Sequence, residues 1–395
     1  MRVAVVDDAG FGWGRPGLAG KELYVELLAR GLEGLGVGVV RVLLGGSSGD
    51  GDVVVVRGVG TPVVRDFWDW ELVRGLRRVF EGVDLVHVNV LNARYPRNIV
   101  RVVKDLGVPM VVTVHDWSYL CPTGWSIKFP SQVVDWNPRL GLSCIRCIWG
   151  VAKVRGDNPI TSILRSFNHT VSLRELLFNA SAIISPSKLL ADALVRAYGV
   201  KNVYAIYNPV PDELLKLRPS YGGDGSVAFF ARLSPEKGVY LLPAIARELR
   251  GVRIHVMGDG PLRDFVVRVS KEFPNIVYHG FVSNEEKIEI VGKSSLVIFP
   301  IIWMETFSYT VVESFALGKP VVSFDLGGPK ELIEGSGAGL LARPFDVGDF
   351  VGKVRYLLNN PDIVKDMGFR GRAFVESLTP RNYVSRVLEI YREIL

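Results

Sequence analysis

Two acids and two bases stand where a diphosphate could be gripped. Glu305 and Glu313 are spaced E-x7-E in FPIIWMETFSYTVVESFALGKPVVS, where a run of apolar residues delivers both carboxylates onto one strand-to-helix turn. With a strand over 295–302 and a helix beginning near Ser308, the helix N-terminus offers bare N–H groups and positive dipole to an anion. Five helical residues advance about 7–8 Å, so one carboxylate reaches hexose hydroxyls and the other a ribose, with phosphates between them. Upstream, FFARLSPEKGVYLLPAIARELRG reads as a strand, a turn carrying Arg232 and Lys237, and a helix starting near Gly238. Two cations at a strand's carboxyl end suit a departing diphosphate. Arg supplies a planar fork and Lys a point charge, the role magnesium fills in metal-dependent transferases. Helix-flanking acids and ordinary surface cations are the plain alternative.

A series of segments in order along the chain carries a resemblance. RPGLAGKELYVELLARGLEGLGVGVV, DLVHVN, PMVVTVHDWSYLCP, ASAIISPSK, IYNPV, ARLSPEKG, VMGDGPLR, HGFVSNEEK, the E-x7-E block and LGGPKELI resemble the retaining GT-B glycosyltransferases of family 4, the glycosyl transferases group 1. Sucrose and glycogen synthases and phosphatidylinositol mannosyltransferases are related to that family. The agreement spans about residues 1–335, and the acidic pair with the RLSPEKG turn is its specific part.

The resemblance implies an α/β protein of GT-B architecture, two Rossmann-like domains facing across a cleft, with a C-terminal helix crossing back to the first domain. It implies transfer of a hexosyl group from a nucleoside diphosphate sugar to a hydroxyl of a glycan, a lipid-linked acceptor or a small molecule, without cofactor or metal. Glu305 then orients the sugar, Glu313 binds the ribose, and His115, emerging after the strand PMVVTV, contacts the transferred sugar or aligns the acceptor. Gly258 allows a close turn at the base or phosphate, and Gly280–Val282 presents backbone to the nucleobase edge, with Val282 its last residue. Phe307 joins the donor-binding set. Thr306 and Ser308 stand where many relatives carry glycine, so their hydroxyls narrow the sugar pocket or bond to it. In the glycine-rich loop before the AGKE helix, Ala19 replaces the first glycine of the usual pair, leaving Gly17 or Gly20 to approach a phosphate.

Composition fits that expectation. At 395 residues the chain exceeds the roughly 250–300 at which single cores stop growing. With 48% hydrophobic and 22% charged residues, it is globular. Met1 leads directly into RVAVVDD and no apolar stretch reaches membrane-spanning length, so a cytoplasmic protein is expected, peripheral at most to the inner membrane face. Residues 1–210 hold 24 Lys and Arg against 18 Asp and Glu, whereas 211–395 hold 23 of each. The net +6 thus belongs to the first half, which suits an anionic membrane surface, a lipid phosphate or an acidic glycan; a solvated basic face is the plain alternative. Nucleic acid is not expected, since no aromatic-basic stripe forms a binding module.

β-Branched runs alternating with helical periodicity predict strands at 2–7, 37–43, 53–56, 84–89, 109–114, 181–185 and 203–206, with helices such as 20–35 and 96–107. The Pro- and Gly-rich stretch 208–225 reads as a linker between a first domain, 1–207, and a second, 226–378, with 379–395 as the returning helix. In the second domain strands are predicted near 226–230, 252–257, 276–280, 295–300 and 320–324, and helices near 238–250, 261–273, 284–293 and 309–318; 346–358, 361–377 and 380–394 also look helical.

Other features invite different chemistry. Gly10, Gly12 and Gly14 follow the first strand, but their spacing is not G-x-G-x-x-G and no acid closes the second strand, which argues against NAD. Asp50-Gly51-Asp52 imitates a metal-binding D-x-D yet is explained by a turn before a strand. Cys121, Cys144 and Cys147 lie in the longest stretch expected to be irregular, 115–160, and are one ligand short of a zinc site that His115 or His169 could complete; a disulfide and packed free thiols are the other readings. His87, inside DLVHVN, reads as core. Two rival functions stay open: a GT-B-shaped nucleotide-sugar epimerase or phosphorylase, and an inactive nucleotide-sugar-binding protein.

Overall fold

Short valine- and isoleucine-rich runs, apolar on both faces, are the sequence form of strands buried inside a parallel sheet, and they organise the chain twice. The computed structural model describes residues 1–8, 20–45, 53–58, 69–91, 95–128, 133–135, 138 and 140–395. These divide into one unit of Met1–Pro209 with Pro380–Leu395 and a second of Val210–Thr379.

The first unit holds β1 (Arg2–Asp7), β2 (Gly38–Leu44), β3 (Val53–Val56), β4 (Leu85–Val88), β5 (Met110–Thr113), a short antiparallel pair β6 (Ile127–Lys128) and β7 (Val133–Val134), then β8 (Ala182–Ser185) and β9 (Val203–Ala205). All but β6 and β7 form a parallel sheet in the order β3-β2-β1-β4-β5-β8-β9. Its helices are α1 (Gly20–Gly34), α2 (Trp70–Phe80), α3 (Pro96–Leu106), α4 (Cys144–Arg155), α5 (Pro159–Asn179) and α6 (Lys188–Tyr198). Side-chain caps set the starts of α2, α5 and α6: Asp69 accepts from Leu72 N, Asn158 from Ile160 and Thr161 N, and Ser187 from Leu190 N. The stretch 115–160 is therefore not irregular throughout. α4 and the start of α5 occupy its second half, and Cys144 and Cys147 sit in the first turn of α4 rather than in a metal knuckle.

The helix Pro380–Ile394 completes this unit. Its Tyr383, Val384, Val387, Leu388 and Tyr391 join Tyr24, Leu28 and Leu32 of α1 and Val3, Val5 and Val111 of the sheet in one buried cluster. A polar chain runs through the apolar mass: the Tyr24 hydroxyl meets Tyr383 Oη at 2.5 Å and Thr113 Oγ1 at 2.9 Å, and His87 joins Thr113 Oγ1 (2.7 Å) to Tyr391 Oη (2.5 Å). Every ring nitrogen and hydroxyl is thus satisfied. Burial drives the His87 imidazole down to a pKa of about 3, so it is neutral when folded. Unfolding restores an ordinary value near 6.5, and the unfolded chain then binds the extra proton between those two values. Stability from His87 is therefore complete above about pH 6.5 and is lost as pH falls toward 3, at up to about 1.4 kcal/mol per pH unit. Melting temperatures measured from pH 7 to 4 should fall more steeply for the native protein than for His87→Asn; equal slopes would refute this assignment.

The second unit carries α7 (Asp212–Leu215), β10 (Val227–Phe230), α8 (Leu242–Glu248), β11 (Ile254–Met257), α9 (Arg263–Glu272), β12 (Ile276–Gly280), α10 (Asn284–Lys293), β13 (Leu296–Phe299), α11 (Tyr309–Ala316), β14 (Val321–Phe324), α12 (Gly327–Ser336), β15 (Gly339–Ala342), α13 (Val347–Leu358) and α14 (Pro361–Glu376). The strands are parallel, ordered β12-β11-β10-β13-β14-β15. α12 and β15 lie beyond the predicted elements. No helix starts at Gly238: two 3₁₀ turns, Pro235–Lys237 and Val239–Leu241, precede α8, because Pro243 belongs in a first helical turn. Residues 210–225, expected as part of a linker, are tied into this unit. The fully buried Lys319 donates to the carbonyls of Gly222 (2.6 Å) and Gly292 (2.7 Å), and Arg372 donates to those of Leu215, Leu217 and Ala316.

Candidate active site

In an open parallel sheet, ligands settle beyond the carboxyl ends of the strands where the strand order reverses. In the second unit that point lies between β10 and β13, the two strands that feed the Lys237 turn and the Glu305 loop. Lys237 Nζ lies 2.7 Å from Glu305 Oε1, and it also stands 5.4 Å and 5.5 Å from the ring centres of Phe299 and Trp303. Burial pushes the Glu305 carboxyl above its ordinary pKa, against the pull of Lys237. Glu305 Oε2 and Trp303 Nε1 are buried without a hydrogen-bond partner among the described residues. A buried carboxylate oxygen of this kind carries a desolvation cost that a ligand hydroxyl could relieve.

The backbone around this pair is tightly braced. Gly238, with φ +75°, packs so closely on Pro300 that an added Cβ would overlap the Pro300 carbonyl. Ile302 N donates to Glu236 O at 3.0 Å, fastening the Glu305 loop to the Lys237 turn, and Gly328 N donates to Glu305 O at 2.5 Å from the start of α12. Arg232 is exposed on the same turn and makes no ion pair among the described residues. Gly258 follows β11 and donates its N–H to Gly280 O at 2.8 Å, and Val282 lies just past β12, half-buried.

Four predicted donor residues are held by contacts of their own. Ser308 caps α11, its hydroxyl accepting from Val311 N at 3.4 Å, so one N–H of that helix start is occupied from within. Glu313 pairs with Lys287 Nζ at 2.7 Å. Phe307 is buried with its ring edge-on to Tyr309 at 5.2 Å, and Thr306 is buried beside it.

In the first unit the strand order reverses between β1 and β4. His115, two residues beyond β5, places Nε2 3.1 Å from Asn89 Oδ1 after β4, and its ring meets Tyr24 edge-on at 5.0 Å. Burial, then Lys21 and His87, hold its pKa well below the ordinary value, so it is a neutral hydrogen-bonding group. Lys21 of the AGKE segment binds Asp7 Oδ1 at 2.7 Å, Asp8, and Asn89 O at 3.3 Å. Burial works to lower its pKa, but the two carboxylates overcome that and raise it. Gly20 is the exposed first residue of α1; Gly17, like Gly10, Gly12, Gly14 and the Asp50-Gly51-Asp52 turn, lies outside the described residues.

Comparison with known proteins places this geometry. The family model described as Glycosyltransferase Family 4 matches residues 19–214, and that described as Glycosyl transferases group 1 matches residues 224–360. The chain belongs to the group 1 glycosyltransferases. It is 29% identical over 221 residues to the uncharacterized glycosyltransferase MJ1178 of Methanocaldococcus jannaschii, covering 55% of this chain and 60% of that one. It is 31% identical over 180 residues to a GDP-mannose-dependent alpha-mannosyltransferase of Mycobacterium tuberculosis, covering 43% and 45%. The matches thus span only about half of these curated relatives. Among solved structures, Anabaena Alr3699/HepE in complex with UDP superposes with a TM-score of 0.71 at 19% identity, covering 100% of both chains. The sucrose-phosphate synthase of Thermosynechococcus elongatus gives 0.68 at 17%, covering 100% and 99%. The fold is GT-B.

Several residues of this group 1 glycosyltransferase that shape the site carry weak sequence signals. Asp7 and Asp8 close the first strand, and Asn89 follows DLVHV, positions legible as strand ends. Lys287, Trp303, Gly327 and Gly328 gain meaning only from contacts distant in sequence. Cys121, Cys144 and Cys147 form no disulfide, and among the described residues no group of three or more His, Cys, Asp or Glu is arranged to hold an ion. No helix of the described residues is long and apolar enough to cross a membrane.

Proposed function

We propose that the chain transfers a hexosyl group from a nucleoside diphosphate sugar to an acceptor hydroxyl of a glycan, lipid-linked or small-molecule substrate, with retention and without a divalent metal. The observation that carries this is the Lys237–Glu305 pair at the strand-order reversal, with the second Glu305 oxygen buried and unpartnered. Arg232, Lys237 and the start of α11 receive the charge that grows on the departing diphosphate. Glu305 accepts hydroxyls of the sugar through Oε2, while Lys237 pulls against the burial that disfavours the carboxylate's charge. The bond from the anomeric carbon to the β-phosphate oxygen breaks, the acceptor oxygen bonds to that carbon on the same face, and the acceptor's proton passes to the departing phosphate oxygen. Glu313 takes the ribose, sharing itself with Lys287. Gly258 and Val282 border the base, with Thr306 and Phe307 walling the sugar. Ser308 acts through its cap. In the first unit, His115 offers a neutral imidazole to an acceptor hydroxyl.

A thermal-shift screen tests the donor. The mannosyltransferase relative uses GDP-mannose by its name, and the Anabaena protein binds UDP, so GDP- and UDP-sugars come first, ADP- and TDP-sugars next. Ligand at 100 times its dissociation constant stabilises the native state by about 2.7 kcal/mol, and one nucleotide should raise the melting temperature alone. No response to any of them would overturn the proposal, as would transfer that disappears on adding chelator.

A further inference from the structure

α4 and α5 turn apolar side chains outward. On α5, Ile160, Leu164, Val171 and Phe178 are spaced four, seven and seven residues apart, which keeps them within about 40° on one helix face. All four are exposed, Leu164 by 69% and Ile160 by 64%. The opposite face, with Thr170, Leu173, Leu176 and Leu177, is the one that is buried. α4 repeats the pattern. Ile148, Val151 and Ala152 face inward, while Ile145, Arg146, Trp149 and Lys153 form an outer stripe that begins with Leu142, 85% exposed, just before the helix. Lys153 lies over the Trp149 ring, its Nζ 5.8 Å from the centre.

The charge along the same segment has one sign. From 140 to 179 the sequence carries Arg146, Lys153, Arg155, Arg165 and Arg174 against two acids, Asp157 and Glu175. Apolar side chains interleaved with cations, an indole among them, and an excess of five cations over two carboxylates match the boundary of an anionic bilayer, where acyl chains lie beneath negative headgroups. A protein partner recognised by oil alone would not call for five cations beside two acids. The basic excess of residues 1–210 has the same sign. We propose that the outer faces of α4 and α5 form a docking surface for the headgroup layer of an anionic lipid membrane, the helices lying in its plane. It stands independently of the donor chemistry.

Sedimentation with vesicles of phosphatidylcholine, with and without phosphatidylglycerol, tests it on the full chain. The protein should bind the anionic vesicles and release them as salt rises. Ile160→Glu with Leu164→Glu should weaken binding at least about tenfold, and Arg146→Glu with Lys153→Glu by about tenfold, while melting temperature and soluble nucleotide binding stay unchanged. Trp149→Ala provides a second variant should the first pair impair folding, and it should also weaken vesicle binding. Equal binding to neutral vesicles, or binding indifferent to all these substitutions, would overturn the proposal. So would a dimer in analytical ultracentrifugation that Leu164→Glu dissolves with no vesicle binding, since the face would then meet a second copy.

Discussion

Lys237→Ala is expected to lower kcat by about 100- to 1,000-fold, the loss seen when one preorganised group is removed from a site that stabilises developing negative charge. Two effects combine. The departing diphosphate loses a fixed cation, and Glu305, whose carboxyl burial already pushes upward, loses the ammonium 2.7 Å away. Breaking one side of a buried pair commonly costs about 3–5 kcal/mol because the remaining charge is stranded. With burial then opposing its charge unrelieved by Lys237, Glu305 would grip sugar hydroxyls less well. Glu305→Gln should therefore also impair transfer, and the double variant should be less impaired than the sum of the singles, as expected for groups in direct contact. Steady-state kinetics on the three variants checks this. Turnover of Lys237→Ala within about threefold of the native enzyme, with its fold intact by circular dichroism, would remove Lys237 from the mechanism.

Gly328→Val should be nearly as damaging, although residue 328 belongs to no charged group. Its N–H holds the Glu305 carbonyl at 2.5 Å, and a Cβ there would overlap the Thr306 carbonyl and come within 2.9 Å of Phe307 Cα. Gly327 is equally confined, with φ +55° and only 2.7 Å between a notional Cβ and Glu305 N. The loop bearing Glu305, Thr306 and Phe307 must shift to admit any side chain. A displacement of about 1 Å in a positioning loop can cost about 100-fold in rate, and overpacking costs about 1–3 kcal/mol of stability. The measurement is kcat/KM together with the melting temperature. Activity within about threefold of native would show that the loop tolerates displacement.

Strand positions were legible because buried parallel strands are written as unbroken β-branched runs, and VAFF, LVIF and VVSF are found where those runs occur. α4 was illegible for the opposite reason: CIRCIWGVAKVR is apolar on its inner and outer faces alike, so no 3.6-residue period stands out. The start of α8 was misplaced because Gly238 and Pro243 compete as helix-start signals. At the site, residue types and strand-end positions pointed to Lys237, Glu305 and Glu313 individually. That Lys237 and Glu305 neutralise each other, and that Lys287 does the same for Glu313, depends on pairs 68 and 26 residues apart, which spacing along a sequence cannot register.

The helix Pro380–Ile394 gives the chain an order of events during its synthesis. Residues 210–379 are one uninterrupted piece containing every strand of their own sheet, so that unit needs no later segment to close it. Residues 1–209 wait for residues 380–394: Tyr383 and Tyr391 are the hydroxyl partners of Tyr24 and His87, and until they arrive the apolar seam along α1 faces the surrounding water. A chain released before residue 380 is therefore expected to display that seam to chaperones and proteases.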